Sequence, residues 1–131
     1  YYTSTASASP LPTSAQVAEV QFQLIREIAE KGPCVIVGRC ANYLLRDRDD
    51  VLDVFIYAGL ETRVQRTMEK LGLDEKQARK LVKRTDKARK AYYRNYTKRN
   101  WNDLTLYDMV LNTDQISVWR CIDAICDAYS K

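Results

Sequence analysis

From Thr13 onward the apolar residues Val17, Val20, Leu24 and Ile28 recur at three- and four-residue intervals until Gly32-Pro33 stops the run, the spacing of one face of an α-helix. Thr13 and Gln16 form a capping-box pair that sets its start. Cys34-Val35-Ile36-Val37 is short, uniformly apolar and mostly β-branched, which predicts a strand buried on both faces. Gly38-Arg39 turns the backbone at its carboxyl end. Ala41 to Leu45 predict a short helical turn, and Asp47-Arg48-Asp49-Asp50 a hydrated loop rather than a metal site. Val51 to Ala58 predict a second buried strand, ended by Gly59, and Leu60 to Leu71 a helix with Val64, Met68 and Leu71 inward, closed by Gly72.

A second capping box, Asp74 with Gln77, opens a long helix whose seam would be Ala78, Leu81, Thr85, Ala88 and Tyr92. Asn100-Trp101-Asn102-Asp103 breaks it. Tyr107 to Leu111 predict a third strand with the polar turn Asn112-Thr113-Asp114 at its end. Ser117 to Tyr129 predict a last helix with Val118, Ile122, Ile125 and Tyr129 inward. This order implies an α/β domain with a parallel sheet and helical crossovers. Arg39, the turn after Ala58, and Asn112-Thr113 would then share the carboxyl rim where open sheets bind ligands, with the long helix as a lid over it. Residues 1–12 are small, polar and proline-broken, and read as a flexible N-terminal segment without signal-peptide character. Residues 13–131 form one domain, with the lid at about 74–103.

Charge sharpens the picture. Between Lys76 and Arg99 stand eleven Lys or Arg against Asp86 alone, a local +10 in a chain of net charge +4, so the remainder sums to −6. One segment therefore faces a polyanion while the body stays acidic. Arg84 and Arg89 bracket Asp86, and on a helix Asp86 can reach Arg89 and Lys83 at three-residue spacing. A carboxylate that orients a guanidinium suits gripping a phosphoryl group better than coating nucleic acid. The alternative is a non-catalytic basic module that binds RNA or another polyanion. Tyr92, Tyr93 and Tyr96 are expected to pack against the lid's own body rather than stack on bases, and Trp101 and Trp119 to anchor core or lid.

The chain has no histidine, which excludes Ser-His-Asp, Cys-His and histidine-metal chemistry. Cys34, Cys40, Cys121 and Cys126 read as buried free thiols of a reducing compartment, hence a cytoplasmic protein. No apolar run of ~18 residues is present to span a membrane.

Three features together resemble the cytidylate kinase-like branch of the nucleoside monophosphate kinases: Gly38-Arg39 at a strand end, Arg84-x-Asp86-x-x-Arg89 on a basic lid with its Tyr-rich continuation and Trp101, and Tyr107-Asp108-x-x-Leu111-Asn112-Thr113 before the last helix. The resemblance runs from about Ala15 to Ile125. It implies a three-layer P-loop kinase-like α/β/α fold, Mg²⁺ and ATP as phosphoryl donor, and a nucleotide monophosphate, CMP or dCMP, as acceptor. Arg39 would hold the acceptor's phosphate, with Arg63 as a further phosphate-facing arginine. Arg84 and Arg89 would neutralise the moving phosphoryl group, with Asp86 orienting them or the acceptor, and Asn112-Thr113 would lie against adenine. Such transfer needs positioned cations more than covalent chemistry. Cys40 departs from the family, which usually reads Asp there.

The G-x-x-x-x-G-K-[ST] loop that cradles donor phosphates is absent from these 131 residues. The resemblance places it, with the sheet's central first strand, upstream of Tyr1, a reading that fits the absence of an initiator Met. This strand would lie between those at Cys34 and Val54. The chain alone is therefore expected to pair these two strands directly or to borrow one from a neighbouring copy, as a homo-oligomer, and not to turn over ATP.

Overall fold

The computed structural model describes residues 13–130; the expected flexible segment 1–12 lies outside the described residues. Helix α1 spans Ser14–Lys31, α2 Ala41–Leu44, strand β1 Val54–Tyr57, α3 Leu60–Leu71, α4 Glu75–Thr97, β2 Met109–Asn112 and α5 Val118–Tyr129, with a 3₁₀ turn at Leu104–Leu106. The two strands are parallel, Val54 opposite Met109 and Tyr57 opposite Asn112. The connection between them carries α3 and α4. The result is an α/β fold around a small parallel sheet.

Local chemistry sets most boundaries. Both capping boxes form: Thr13 N donates to Gln16 Oε1 at 2.8 Å and Gln16 N to Thr13 Oγ1 at 3.3 Å, and Asp74 with Gln77 repeats the exchange at α4. Gly72 ends α3 in the left-handed region at φ +65° while its N–H donates to Met68 O at 2.8 Å. At the end of α4 the same left-handed position falls on Lys98, φ +59°, where a Cβ is unfavourable.

Helix α4 is the spine. Its first half packs Ala78 and Val82 on Val64 of α3, with Leu60, Met68 and Leu73 around them. Its second half places Tyr93 against Ala18 and Phe22 of α1 and Cys40, with Tyr43, Tyr96 and Trp101 around them. The Phe22 and Tyr96 rings meet edge to face at 5.1 Å. The tyrosines thus pack against the domain, as the sequence suggests. Between the two clusters, Lys87 to Ala91 are all exposed: the helix bridges two small cores and its middle touches neither.

Several expectations fail, for one reason. Cys34–Val37 forms no strand and does not pair with β1, and Val35 and Val37 are 93% and 86% exposed. On α1 the face that packs is Ala18, Phe22 and Ile25, whereas Val17, Val20, Leu24 and Ile28 are exposed. Helix α5 buries Cys121 and leaves Val118, Ile122 and Tyr129 open. Ile56 and Tyr57 of β1, Leu71 of α3, Trp119 of α5 and, on α4, Ala88 are exposed too. Among the described residues the sheet has only two strands, so apolar faces patterned for a wider one have nothing against them. Cys34 and Cys126 are likewise exposed, and only Cys40 and Cys121 are buried thiols. No described helix is long and apolar enough to cross a membrane.

Two stability predictions follow from local strain and burial. Lys98→Gly removes a left-handed Cβ and should stabilise the chain by up to about 1 kcal/mol, read as a shift in urea midpoint at unchanged slope. Burial, and then the nearby Asp108, push the Asp53 carboxyl pKa up. Because that folded value lies above the unfolded one, stability falls as pH rises through the interval between them. Asp53→Asn should therefore raise the melting temperature at pH 7, and the gain should vanish at a pH below the carboxylate range.

Candidate functional site

The rim at the carboxyl ends of β1 and β2 is fastened by side chains from three elements. Thr113 N donates to Tyr57 O at 2.9 Å, continuing the strand pairing into the turn. Asp114 Oδ2 accepts from Gly59 N at 2.6 Å, capping the start of α3, and this contact together with Thr62 holds its carboxyl below the usual carboxylate range. A Cβ on Gly59 would stand 2.9 Å from that oxygen, so a larger residue there would push the Asp114 carboxylate off its cap. Arg66 Nη1 and Nη2 donate to Thr113 Oγ1 and O, both at 3.0 Å. Asn112 Oδ1 accepts from Asp114 N at 3.0 Å. The polar atoms of Asn112 and Thr113 thus build the turn. Among the described residues no group of three or more Asp, Glu or Cys could hold a metal ion.

Opposite this rim lies the inner face of α4. Arg63, from the first turn of α3, donates through Nε to Ala58 O at 3.0 Å and through Nη1 to Asp86 Oδ2 at 2.7 Å. Both side chains are about one-third exposed or less, 34% and 22%. Asp86 therefore orients Arg63; no ion pair joins it to Arg84 or Arg89. Two turns further along α4, the Arg39 guanidinium rests over the Tyr92 ring, 5.3 Å from its centroid. Six residues separate Asp86 from Tyr92, about 9 Å along the axis. Arg63 and Arg39 thus meet the lid on either side of its bare middle.

Arg89 lies between them. Around the helix it falls within about 40° of Val82 and Tyr93, both buried, yet it is itself exposed, because no described residue packs beneath it. Arg89 thus lies on the inward stripe and is open to solvent. Arg84 stands about 140° away around the axis, on the outer face. Lys76, Lys80, Lys83, Lys87, Lys90 and Arg94 share that outer side, each about 100° or more from Arg89, all exposed and none in an ion pair among the described residues. Of the seven residues predicted for the site, Arg39, Arg63, Asp86 and Arg89 are brought to one stretch of α4, Asn112 and Thr113 lie in the rim turn, and Arg84 faces outward.

The sequence reading missed the roles of Asp114 and Arg66 and the position of Tyr92 under Arg39. A polar turn at a strand end was signal enough for Asp114. Arg66 has none, since an arginine on an exposed helix face looks like any other. Cys40 is an inert core thiol, 4% exposed, its pKa pushed up to about 11 by burial despite the neighbouring Arg39.

Comparison with known proteins gives a concordant picture. The chain is 30% identical over 100 residues to a cytidylate kinase of Methanopyrus kandleri, covering 70% of this chain and 52% of that protein. It is 30% identical over 117 residues to a cytidylate kinase of Methanoculleus marisnigri, covering 89% and 62%. The chain thus spans about half the length of the curated relatives it matches. An uncharacterised protein from Eubacterium ventriosum, known from a crystal structure, superposes with a TM-score of 0.84 at 34% identity, covering 92% of this chain and 68% of that one. The model of the cytidylate kinase-like family matches residues 2–115, from the N-terminal segment through the strand-end arginine and the whole of α4 to the rim turn. A match of that extent, over the very elements that assemble the three inward guanidiniums, means that the chain belongs to the cytidylate kinase-like family.

Proposed function

We propose that this chain is the acceptor-and-lid portion of a P-loop nucleoside monophosphate kinase, which moves the γ-phosphoryl of ATP to a nucleotide monophosphate, CMP or dCMP. The observation that carries this reading is the row Arg63, Arg89, Arg39 along the inner face of α4. Arg63 meets α4 at Asp86, Arg39 meets it at Tyr92, and Arg89 lies on the inward stripe between those two positions. In this reading Arg39 takes the acceptor's phosphate, Arg63 is set by Asp86 and Ala58 O, and Arg89 supplies charge to the phosphoryl group in transit. Guanidinium forks match phosphate oxygens, and cations placed in advance lower the cost of developing charge. Mg²⁺ and ATP would supply the phosphoryl group and its neutralised leaving group. The rim turn of Asn112 and Thr113 would border the adenine.

The exposed Val35 and Val37 support the same architecture. In a P-loop kinase a central strand would lie between this run and β1, pairing with the backbone of both and bringing the glycine-rich loop to the rim. Without that loop in its sequence, the 131-residue chain should bind acceptor without hydrolysing or transferring from ATP.

A second reading has its own observation, the seven unpaired cations on the outer face of α4. Such a stripe would bind RNA as a polyanion, with affinity falling steeply with salt and each lysine contributing about equally.

The two readings separate in one titration series. The kinase reading expects one CMP per chain, an affinity lowered about 10- to 100-fold by Arg39→Ala, as for loss of a hydrogen bond to a charged group, and little change for outer-face Lys87→Ala or Arg84→Ala. Salt-sensitive binding of single-stranded RNA without CMP binding, and equal losses from Lys87→Ala and Arg39→Ala, would select the polyanion module instead. ATP-dependent phosphorylation of CMP by this chain, measured by a coupled assay, would refute the expected inactivity.

A further inference from the structure

Tyr92 breaks a rule that its neighbours obey. Its ring lies under Arg39 and against Tyr96, with ring centroids 4.8 Å apart. Its hydroxyl is buried and its proton has no acceptor among the described residues, the Arg39 guanidinium beside it being a donor only. A buried phenol normally finds one, because an unsatisfied polar group costs ~1–3 kcal/mol. Tyr93 Oη accepts from Asn42 Nδ2 at 3.1 Å, and Tyr107 Oη donates to Trp101 O at 2.8 Å. The orphan is the one beside the phosphate-facing arginine.

The backbone that presents Arg39 is strained as well. Gly38, Arg39 and Cys40 have φ of +72°, +53° and +61°, three successive left-handed residues of which two carry a Cβ, at ~1–2 kcal/mol each. The turn is held by Ala41 N donating to Gly38 O at 3.1 Å, by Tyr43 N and Leu44 N donating to Cys40 O at 3.0 Å, and by burial of Cys40 in the α1–α4 cluster. Strain so fixed beside an unsatisfied donor is the mark of a ligand position.

We propose that Arg39 and Tyr92 form a two-part seat for a phosphate monoester, the guanidinium supplying charge and the Tyr92 hydroxyl the single directional hydrogen bond. The proposal rests on the acceptor-binding reading above and adds a specificity-determining residue to it. A guanidinium over an aromatic face is held by only ~0.5–2 kcal/mol, so a bidentate phosphate can draw Arg39 from the ring. Its departure uncovers the hydroxyl. Two phosphate oxygens then take the guanidinium fork and the third accepts from Tyr92. A carboxylate has only two oxygens and leaves the hydroxyl unmatched. Burial pushes the Tyr92 pKa up, Arg39 offsetting only part of the rise, which keeps the phenol a donor at neutral pH.

The test compares the unchanged chain with Tyr92→Phe by calorimetric titration of CMP and of cytidine, alongside thermal unfolding. The expected result is CMP affinity lower by about tenfold, cytidine affinity unchanged, and a melting temperature equal or higher, because the variant deletes an unsatisfied buried hydroxyl. A lower melting temperature with unchanged CMP affinity would make Tyr92 a packing residue and overturn the proposal, leaving the acceptor reading intact. Absence of CMP binding by the folded, unchanged chain would overturn both. A second measurement needs no variant: inorganic phosphate should displace CMP from the unchanged chain where formate at the same concentration does not. Equal displacement by the two anions would also overturn the proposal.

Discussion

Everything in this molecule depends on how α4 is held. A 23-residue helix packed along its whole length would be a core element, and its inward arginine would be excluded or neutralised. Here the apolar contacts are confined to the two ends, Ala78 and Val82 on α3 and Tyr93 on α1 and Cys40. The five residues between contribute no apolar burial, and the helix persists there through its own hydrogen bonds, extended from two anchored segments rather than nucleated anew. A stiff span with fixed ends holds Arg89 between the Arg63 and Arg39 contacts. The two clusters share no residue, so either end can loosen without dissolving the other.

The charges follow from that placement. Arg63 and Asp86 form the one ion pair joining the rim to the bare half of α4. Its partial burial strengthens it beyond an exposed pair, and removal of one partner would leave the other partly desolvated. Arg79 is occupied by Glu61 and Glu75, so it stiffens the α3–α4 end and is withdrawn from ligand binding. On the inner face this leaves Arg89 unpaired between two oriented arginines. Charge on that face therefore rests on three groups, whereas the larger charge of the outer stripe is spread along solvent and screened within about 8–10 Å at ordinary salt.

The sequence made helices and their ends legible because those are decided locally. Thr13 with Gln16, and Asp74 with Gln77, settle the matter within four residues. It also singled out Arg39, Arg89 and Asp86, through a glycine-arginine turn and through spacing along a basic helix. Burial was a different matter. Val17, Val20, Leu24 and Ile28 have the periodicity of a packed face, and Val35 and Val37 the composition of an inner strand. Periodicity reports what a face is built to touch, and only the presence of a neighbour makes it buried. The face of α1 that does pack contains Ala18 and Phe22, chosen by where Tyr93 and Tyr96 come down. Likewise the partner of Asp86 comes from 23 residues upstream, a choice that helical spacing within α4 could not reveal.

The turn at Gly38, Arg39 and Cys40 shows why the site and the stability of the chain pull in different directions. Two left-handed non-glycine residues and an unsatisfied phenol are each unfavourable for folding alone. All three fall within one side chain's reach of the same guanidinium. The turn at the end of α3 is relaxed by comparison, with Gly72 in the left-handed position and Asp114 satisfying the start of that helix, and the remaining strained non-glycine, Lys98, sits at the end of α4. If the strain were a by-product of imperfect packing, it would be scattered across the exposed apolar faces, where contacts are poorest. Its concentration at the anchored, well-packed end of α4 means that the surrounding core, Cys40 and Tyr93 above all, is what sustains it. The burial at that end of the lid serves to hold a cation and a donor in positions that neither would adopt in a free chain.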